Sequence, residues 1–169
     1  KELMEHYRLY PDLDLPVVAY RNSGNGKFED FTAVWGTDIS GIHQGFATAD
    51  LDGDGDLDLI LNSLNATPLL LKNNASRPRI KLRLRGQSSN TQAIGAKVFL
   101  KQENGPDLSS EVFAGGRYLS GSDTEIVFAA GEKQQDLAIE IHWPLGGFSR
   151  MGNIQPNHSY VVEEPEKNT

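Results

Sequence analysis

From residue 78 onward the chain alternates. PRIKLRLRG puts Ile80, Leu82 and Leu84 on one face and Arg79, Lys81, Arg83 and Arg85 on the other. This two-residue period is that of a strand buried on one side. Related patterns predict strands at 94–102, 110–114, 124–130, 137–143 and 159–164. Turn-forming stretches separate them: SSN, NGPD, GGR, SGSD, AGEK, PLGG and QPNH. Evenly spaced strands with such punctuation predict an antiparallel β-sandwich or barrel, all-β and with no helix of normal length.

The first half has a different pattern. QGFATA and LDLILNS read as strands on either side of a polar turn, and KELMEHYRLY reads as a short N-terminal helix. An internal echo is present. VVAYRNSGNG (17–26) resembles PLLLKNNAS (68–76), with Arg21 opposite Lys72 and Asn22 opposite Asn73, and a DLDL precedes each copy. The spacing, roughly 45 to 50 residues, is that of propeller blades or similar arrays. Only one copy and a fraction are present, so the array reads as truncated. The change of pattern near residues 73–78 predicts two domains, 1–73 and 74–169.

Between the two strands of the first half lies ADLDGDGDLDLIL. Five aspartates, Asp50, Asp52, Asp54, Asp56 and Asp58, occupy every second position. Like charges so close repel one another, and aspartate favours neither strand nor helix. No Lys or Arg stands between Lys27 and Lys72, so sequence neighbours cannot neutralise the run. Distant basic groups or a bound cation must do so. Counted from Asp50, carboxylates fall at positions 1, 3, 5 and 9 and Gly55 at position 6. Ca²⁺ takes six to eight oxygens, and alternate residues of a curved loop can supply them. Gly53 and Gly55 provide the curvature through positive φ. Position 7, Asp56, is expected to contribute its carbonyl, and Asp58 to close the site. Position 12 is Leu61 where an EF-hand needs a bidentate Glu, so the motif is a calcium loop between strands. Magnesium, which keeps its waters, fits less well.

Composition narrows the function. With 38% hydrophobic residues in 169, the chain is not of a disordered class, and it has room for real cores. The absence of cysteine excludes disulfides, thiolate metal sites and cysteine nucleophiles. No apolar run is long enough to span a membrane as a helix. The sequence opens at Lys1 with no visible signal peptide, which reads as an excised or mature piece. The net charge of −7 is uneven: residues 1–71 hold 4 basic and 12 acidic residues, whereas 72–101 hold eight basic and none acidic. No aromatics interleave with the basic row, which argues against nucleic acid. A solvated face, or one docked onto acidic groups, is the expected role of that row.

NSGNGKFEDFT followed by DLDGDGDLDLIL resembles the FG-GAP/VCBS-like repeat, the blade unit of integrin-type β-propellers. RLRGQSSNTQAIGAKV, GGRYLSGSD, IEIHWPLGG and NIQPNHSYVV resemble, in order, the ASPIC/UnbV domain of cartilage acidic protein and its bacterial relatives. The resemblance covers almost the whole chain from about residue 17. It implies calcium held by Asp50, Asp52, Asp54, Asp56 through its carbonyl, and Asp58. The copy near YPDLDLP lacks the aspartate ladder, so one site is expected. FAAGE stands where the ASPIC/UnbV pattern has a Gly-Leu-Gly-like turn. The resemblance further implies a secreted or cell-surface protein with no catalytic activity, and further propeller blades in a longer parent chain.

The remaining candidates are weaker. His6, His43, His142 and His158 show no ligand spacing. Trp35, Trp143, Tyr118 and Tyr160 are expected in the core of a sandwich rather than on a sugar-stacking platform. Ser120, Ser122 and Asp123 lack a nucleophile elbow. Asn65, Asn74 and Asn157 each open an N-x-S/T triplet. The reading is a calcium-binding, non-catalytic extracellular binding or adhesion module with protein or glycan ligands. Its alternative is an ancillary carbohydrate-binding or scaffold domain of a larger enzyme. A hydrolase is disfavoured, because metal ligation already accounts for the aspartates.

Overall fold

The fold, a computed structural model, describes Leu9 and residues 15–87, 89–103, 105–131 and 136–166. The predicted N-terminal helix falls, apart from Leu9, outside the described residues. Among the described residues there is no helix, and the protein is all-β. The chain divides into two compact units, residues 1–45 with 61–69, and residues 46–60 with 70–169.

The first unit contains four short strands: β1 (Leu15–Pro16), β2 (Tyr20–Gly24), β3 (Lys27–Asp30) and β4 (Ser40–Gly41). β1 pairs with β4 and β2 with β3, both antiparallel. Gly24 faces Lys27, so Asn25 and Gly26 alone make the β2–β3 turn. Both take positive φ, +52° and +71°. That is the turn whose twist matches the flanking strands, and Asn-Gly is its preferred sequence. Thr32 Oγ1 accepts the Ala19 amide at 3.0 Å and ties the hairpin to the segment after it.

Three strands follow: β5 (His43–Ala49), β6 (Asp58–Ser63) and β7 (Leu69–Leu71), in the sheet order β5-β6-β7. They are the strands predicted on either side of the aspartate turn, with one added after it. The division into units passes through all three.

The second unit continues with β8 (Arg79–Arg85), β9 (Lys97–Gln102), β10 (Leu108–Glu111), β11 (Gly116–Arg117) and β12 (Ser120–Gly121). It is completed by β13 (Ile126–Ala129), β14 (Leu137–His142), β15 (Phe148–Met151) and β16 (His158–Glu163). One sheet has the order β13-β8-β16, the other β10-β9-β14-β15. Ile80, Leu82 and Leu84 of β8, Val98 and Leu100 of β9, and Ile139 and Ile141 of β14 join a single apolar cluster, most of them with no exposed surface. Inward residues of two sheets sharing one core make a sandwich. Burying each large aliphatic side chain contributes about 1.5–3 kcal/mol.

The expectation of a wholly antiparallel sandwich needs one correction. β16 runs parallel to β8, pairing His158 with Ile80 through Glu163 with Arg85. β13 already occupies the other edge of β8, antiparallel. β14 and β15, which precede β16, belong to the opposite sheet, so the chain crosses over before it returns. Such a crossover permits parallel pairing where a tight hairpin does not.

Candidate metal centre

The aspartate loop leaves β5 at Asp50 and enters β6 at Asp58. Gly53 and Gly55 have φ of +79° and +95°, as the curvature argument requires. Ligand oxygens of Asp50, Asp52 and Asp54 lie within 4.8 Å of one another. Among the described residues, Asp56 and Asp58 stand outside that group.

The loop folds on its own side chains. Asp50 Oδ1 accepts the Gly53 amide at 2.8 Å and Oδ2 the Gly55 amide at 3.0 Å. Asp52 Oδ1 accepts the amide of Asp54 at 3.2 Å, and Asp54 Oδ1 that of Asp56 at 3.1 Å. A short carboxylate bonding an amide two or three residues on is a turn-forming device. The row of aspartates is therefore a set of successive local turns as well as a set of charges.

Asp58 is buried, and the backbone uses both its oxygens. Oδ2 accepts the Leu51 amide at 3.1 Å, and Oδ1 accepts the Asn73 amide at 2.9 Å. Asn73 Nδ2 donates to the Leu57 carbonyl at 3.4 Å. Asp58 thus closes the neck of the loop and fastens the chain after β7. In the sequence, Asn73 stands out only as part of the repeat echo.

Three cations distant in sequence neutralise the loop. Lys81 Nζ lies 2.6 Å from Asp50 Oδ2 and 3.3 Å from Glu125 Oε2. Arg79 donates to Asp56 Oδ2 at 3.2 Å and to the Ala75 carbonyl at 3.3 Å. Lys72 pairs with Asp52. The outward face of β8 is thus partly docked onto acidic groups, as its sequence suggested, while Arg83 pairs with Asp123 at 2.9 Å. The hydrogen bond from Lys81 holds the Asp50 carboxyl below its usual range, and that from Lys72 does the same for Asp52. Both lysines are raised in return, chiefly by these same carboxylates. Asp56 goes the other way: burial raises it despite Arg79.

Asp56 also provides the test of fit. Its Oδ1 is buried with no hydrogen-bond partner. A buried oxygen left without a partner costs about 1–3 kcal/mol. The donor set is all oxygen, the chemistry of a hard divalent cation such as Ca²⁺. A cleft of about 480 Å³ bordered by Gly53, Asp54, Gly55, Lys72 and Lys81 gives solvent a route to the loop. Asp50, Asp52 and Asp54 fit such an ion, and the orphaned oxygen of Asp56 lies in the same loop.

The other candidates take structural parts. His43 bonds Ser63 Oγ at 3.0 Å through Nδ1 and the Ile39 carbonyl at 3.2 Å through Nε2, so neither ring nitrogen is spare. His142 packs edge-on against Phe99 and Phe148. His158 Nδ1 lies 2.9 Å from the Pro156 carbonyl. Trp143 is buried as expected and donates to Ser149 Oγ at 2.8 Å. Trp35 and Tyr118, expected inside, are 54% and 74% exposed, because both sit in turns rather than on an inward strand face. Tyr160 is half-buried against the core cluster. Ser120 Oγ donates to the Phe46 carbonyl at 2.6 Å. Ser122 Oγ accepts from the Thr48 amide at 3.1 Å and from Arg117 Nε at 2.9 Å.

Residues 11–61, which include the aspartate loop, match the family model of the FG-GAP-like repeat. Residues 86–169 match that of ASPIC and UnbV. No curated protein matches the chain. In order and in extent these matches agree with the motifs that carried the resemblance, and the chain carries an FG-GAP-like repeat followed by an ASPIC and UnbV domain.

Proposed function

We propose that this chain is a calcium-stabilised, non-catalytic extracellular module for binding or adhesion, with Ca²⁺ structural in the loop of residues 50–58. The observation that carries the proposal is the convergence of Asp50, Asp52 and Asp54 oxygens within 4.8 Å in a loop of an FG-GAP-like repeat. The unpartnered Asp56 oxygen supports it. When bound, the ion supplies positive charge and fixed coordination, not reaction chemistry. Extracellular calcium modules work at dissociation constants of about 10⁻⁴–10⁻³ M, so a modest site suffices there.

The serines of the GGRYLSGSD stretch take a structural part in this reading: Ser120 and Ser122 hydrogen-bond residues 46–48 of β5. A partner is expected to be a protein or a glycan. For a sugar, exposed Tyr118 is the stacking surface, and buried Trp143 is not.

Thermal melting in EDTA and in Ca²⁺ tests the metal. With free calcium at 100 times the dissociation constant, the stability gain is about 2.7 kcal/mol. Asp52→Ala and Asp54→Ala should each remove most of the gain. An unchanged midpoint for the unsubstituted protein would end the calcium reading.

A further inference from the structure

Lys72, Arg79 and Lys81 all lie in residues 62–85, a stretch that neither family match covers. The cations that neutralise the repeat's loop thus come from outside the repeat. The pairs differ in burial: the side chains of Lys81 and Asp50 are 21% and 3% exposed, those of Lys72 and Asp52 55% and 35%. Arg79 differs again. It occupies Asp56 Oδ2, is anchored to the Ala75 carbonyl, and leaves Oδ1 open. The lysines, in contrast, sit on two of the three carboxylates whose oxygens converge.

We propose that Lys81 and Lys72 are tethered counter-cations that hold the loop folded without metal and compete with calcium for Asp50 and Asp52, thereby setting the affinity of the site. The proposal rests on the calcium reading above. Asp50 Oδ2 takes both the Gly55 amide and the Lys81 ammonium. An incoming dication must share that oxygen with an ammonium 2.6 Å away or displace it, and the two cations repel each other. Lys81 has somewhere to go, because Glu125 Oε2 is already 3.3 Å from its Nζ. Removing the ammonium removes the competitor. It also leaves the buried Asp50 carboxylate uncompensated in the metal-free loop. Both effects favour the metal-bound form. The Lys72 pair is wetter and more screened, so its effect is smaller.

Calorimetric titration of Ca²⁺ into the chelator-stripped chain tests this, with the unsubstituted protein, Lys81→Met and Lys72→Met compared. Lys81→Met should bind about tenfold tighter, a ratio equal to 1.4 kcal/mol. Lys72→Met should bind tighter by a smaller factor. In EDTA, Lys81→Met should melt below the unsubstituted protein, and calcium should raise its midpoint by more. If the unsubstituted protein binds calcium and Lys81→Met binds no tighter, the competition is refuted while the calcium site stands. If none of the three binds at millimolar calcium, the calcium reading itself has failed. Should Lys81→Met not fold without metal, Lys72→Met carries the test alone, and an unchanged affinity overturns the proposal.

Discussion

The carboxylate of Asp58 accepts the backbone amide of Asn73 at 2.9 Å, across fifteen residues of chain. Its other oxygen accepts the Leu51 amide. One buried side chain thus holds both the loop and the segment leaving β7. Asp58→Ala leaves two amides without their acceptor, each costing about 1–3 kcal/mol. The expected loss is about 2–6 kcal/mol by urea unfolding, in EDTA as in calcium. A loss confined to calcium would make Asp58 a metal ligand only.

Asp56 should behave in the opposite way. Burial disfavours its charge, and one oxygen has no partner. Asp56→Asn keeps the shape, and its amide oxygen can still accept from Arg79. In EDTA its midpoint should equal or exceed that of the unsubstituted protein. In calcium it should gain much less. A large loss in EDTA would show that Asp56 acts chiefly through its charge on Arg79.

Acid should destabilise the metal-free protein through Asp50 and Asp52. Their folded pKa values lie below the ordinary 3.8. The stability they contribute is therefore complete above that value and is lost as pH falls through the folded ones. Asp56, shifted upward, acts in the reverse sense, and its protonation on acidification relieves a cost. Thermal midpoints in EDTA should fall for the unsubstituted protein between pH 4 and pH 2. They should fall more steeply for Asp56→Asn and less steeply for Asp50→Asn. Equal slopes for all three would remove these carboxyls as the source.

Gly53 and Gly55 test the backbone. A Cβ on Gly53 meets nothing within 4 Å, and one on Gly55 only Lys81 Cδ at 3.8 Å. Alanine at either place is penalised by positive φ alone, about 1–2 kcal/mol. Calcium should still bind both variants, with lower midpoints. Unchanged midpoints would mean the loop relaxes to another conformation.

The core offers the control. Ile139, at the centre of β14, has no exposed surface. Ile139→Ala should cost about 2–5 kcal/mol by urea unfolding. Calcium affinity at temperatures where the protein stays folded should not change. A weakened affinity would mean that the loop depends on packing in the sandwich.

Much of the fold follows from local pattern. The alternation of Ile80, Leu82 and Leu84 with four cations could only be a half-buried strand, and β8 is that strand. Asn25-Gly26 and Gly53 and Gly55 specify their backbone because few other residues tolerate those φ values. Phe148–Met151 is not legible as a strand, since β15 is a sheet edge whose residues show little apolar alternation. The parallel pairing of β16 is not legible for another reason: its alternation is the same whichever way its neighbour runs.

The sequence by itself determined that five aspartates must meet positive charge either from far along the chain or from a bound cation, because like charges at that spacing repel and no Lys or Arg lies nearby. It also determined the turn chemistry that brings three of the carboxylates together. Only the tertiary structure decided which cations answer them. Lys81 reaches Asp50 and Arg79 reaches Asp56 because β8, more than twenty residues on, lays its outward face against the loop. The physical reason is range: turns and alternation are written in neighbouring residues, whereas a salt bridge depends on where two distant segments come to rest.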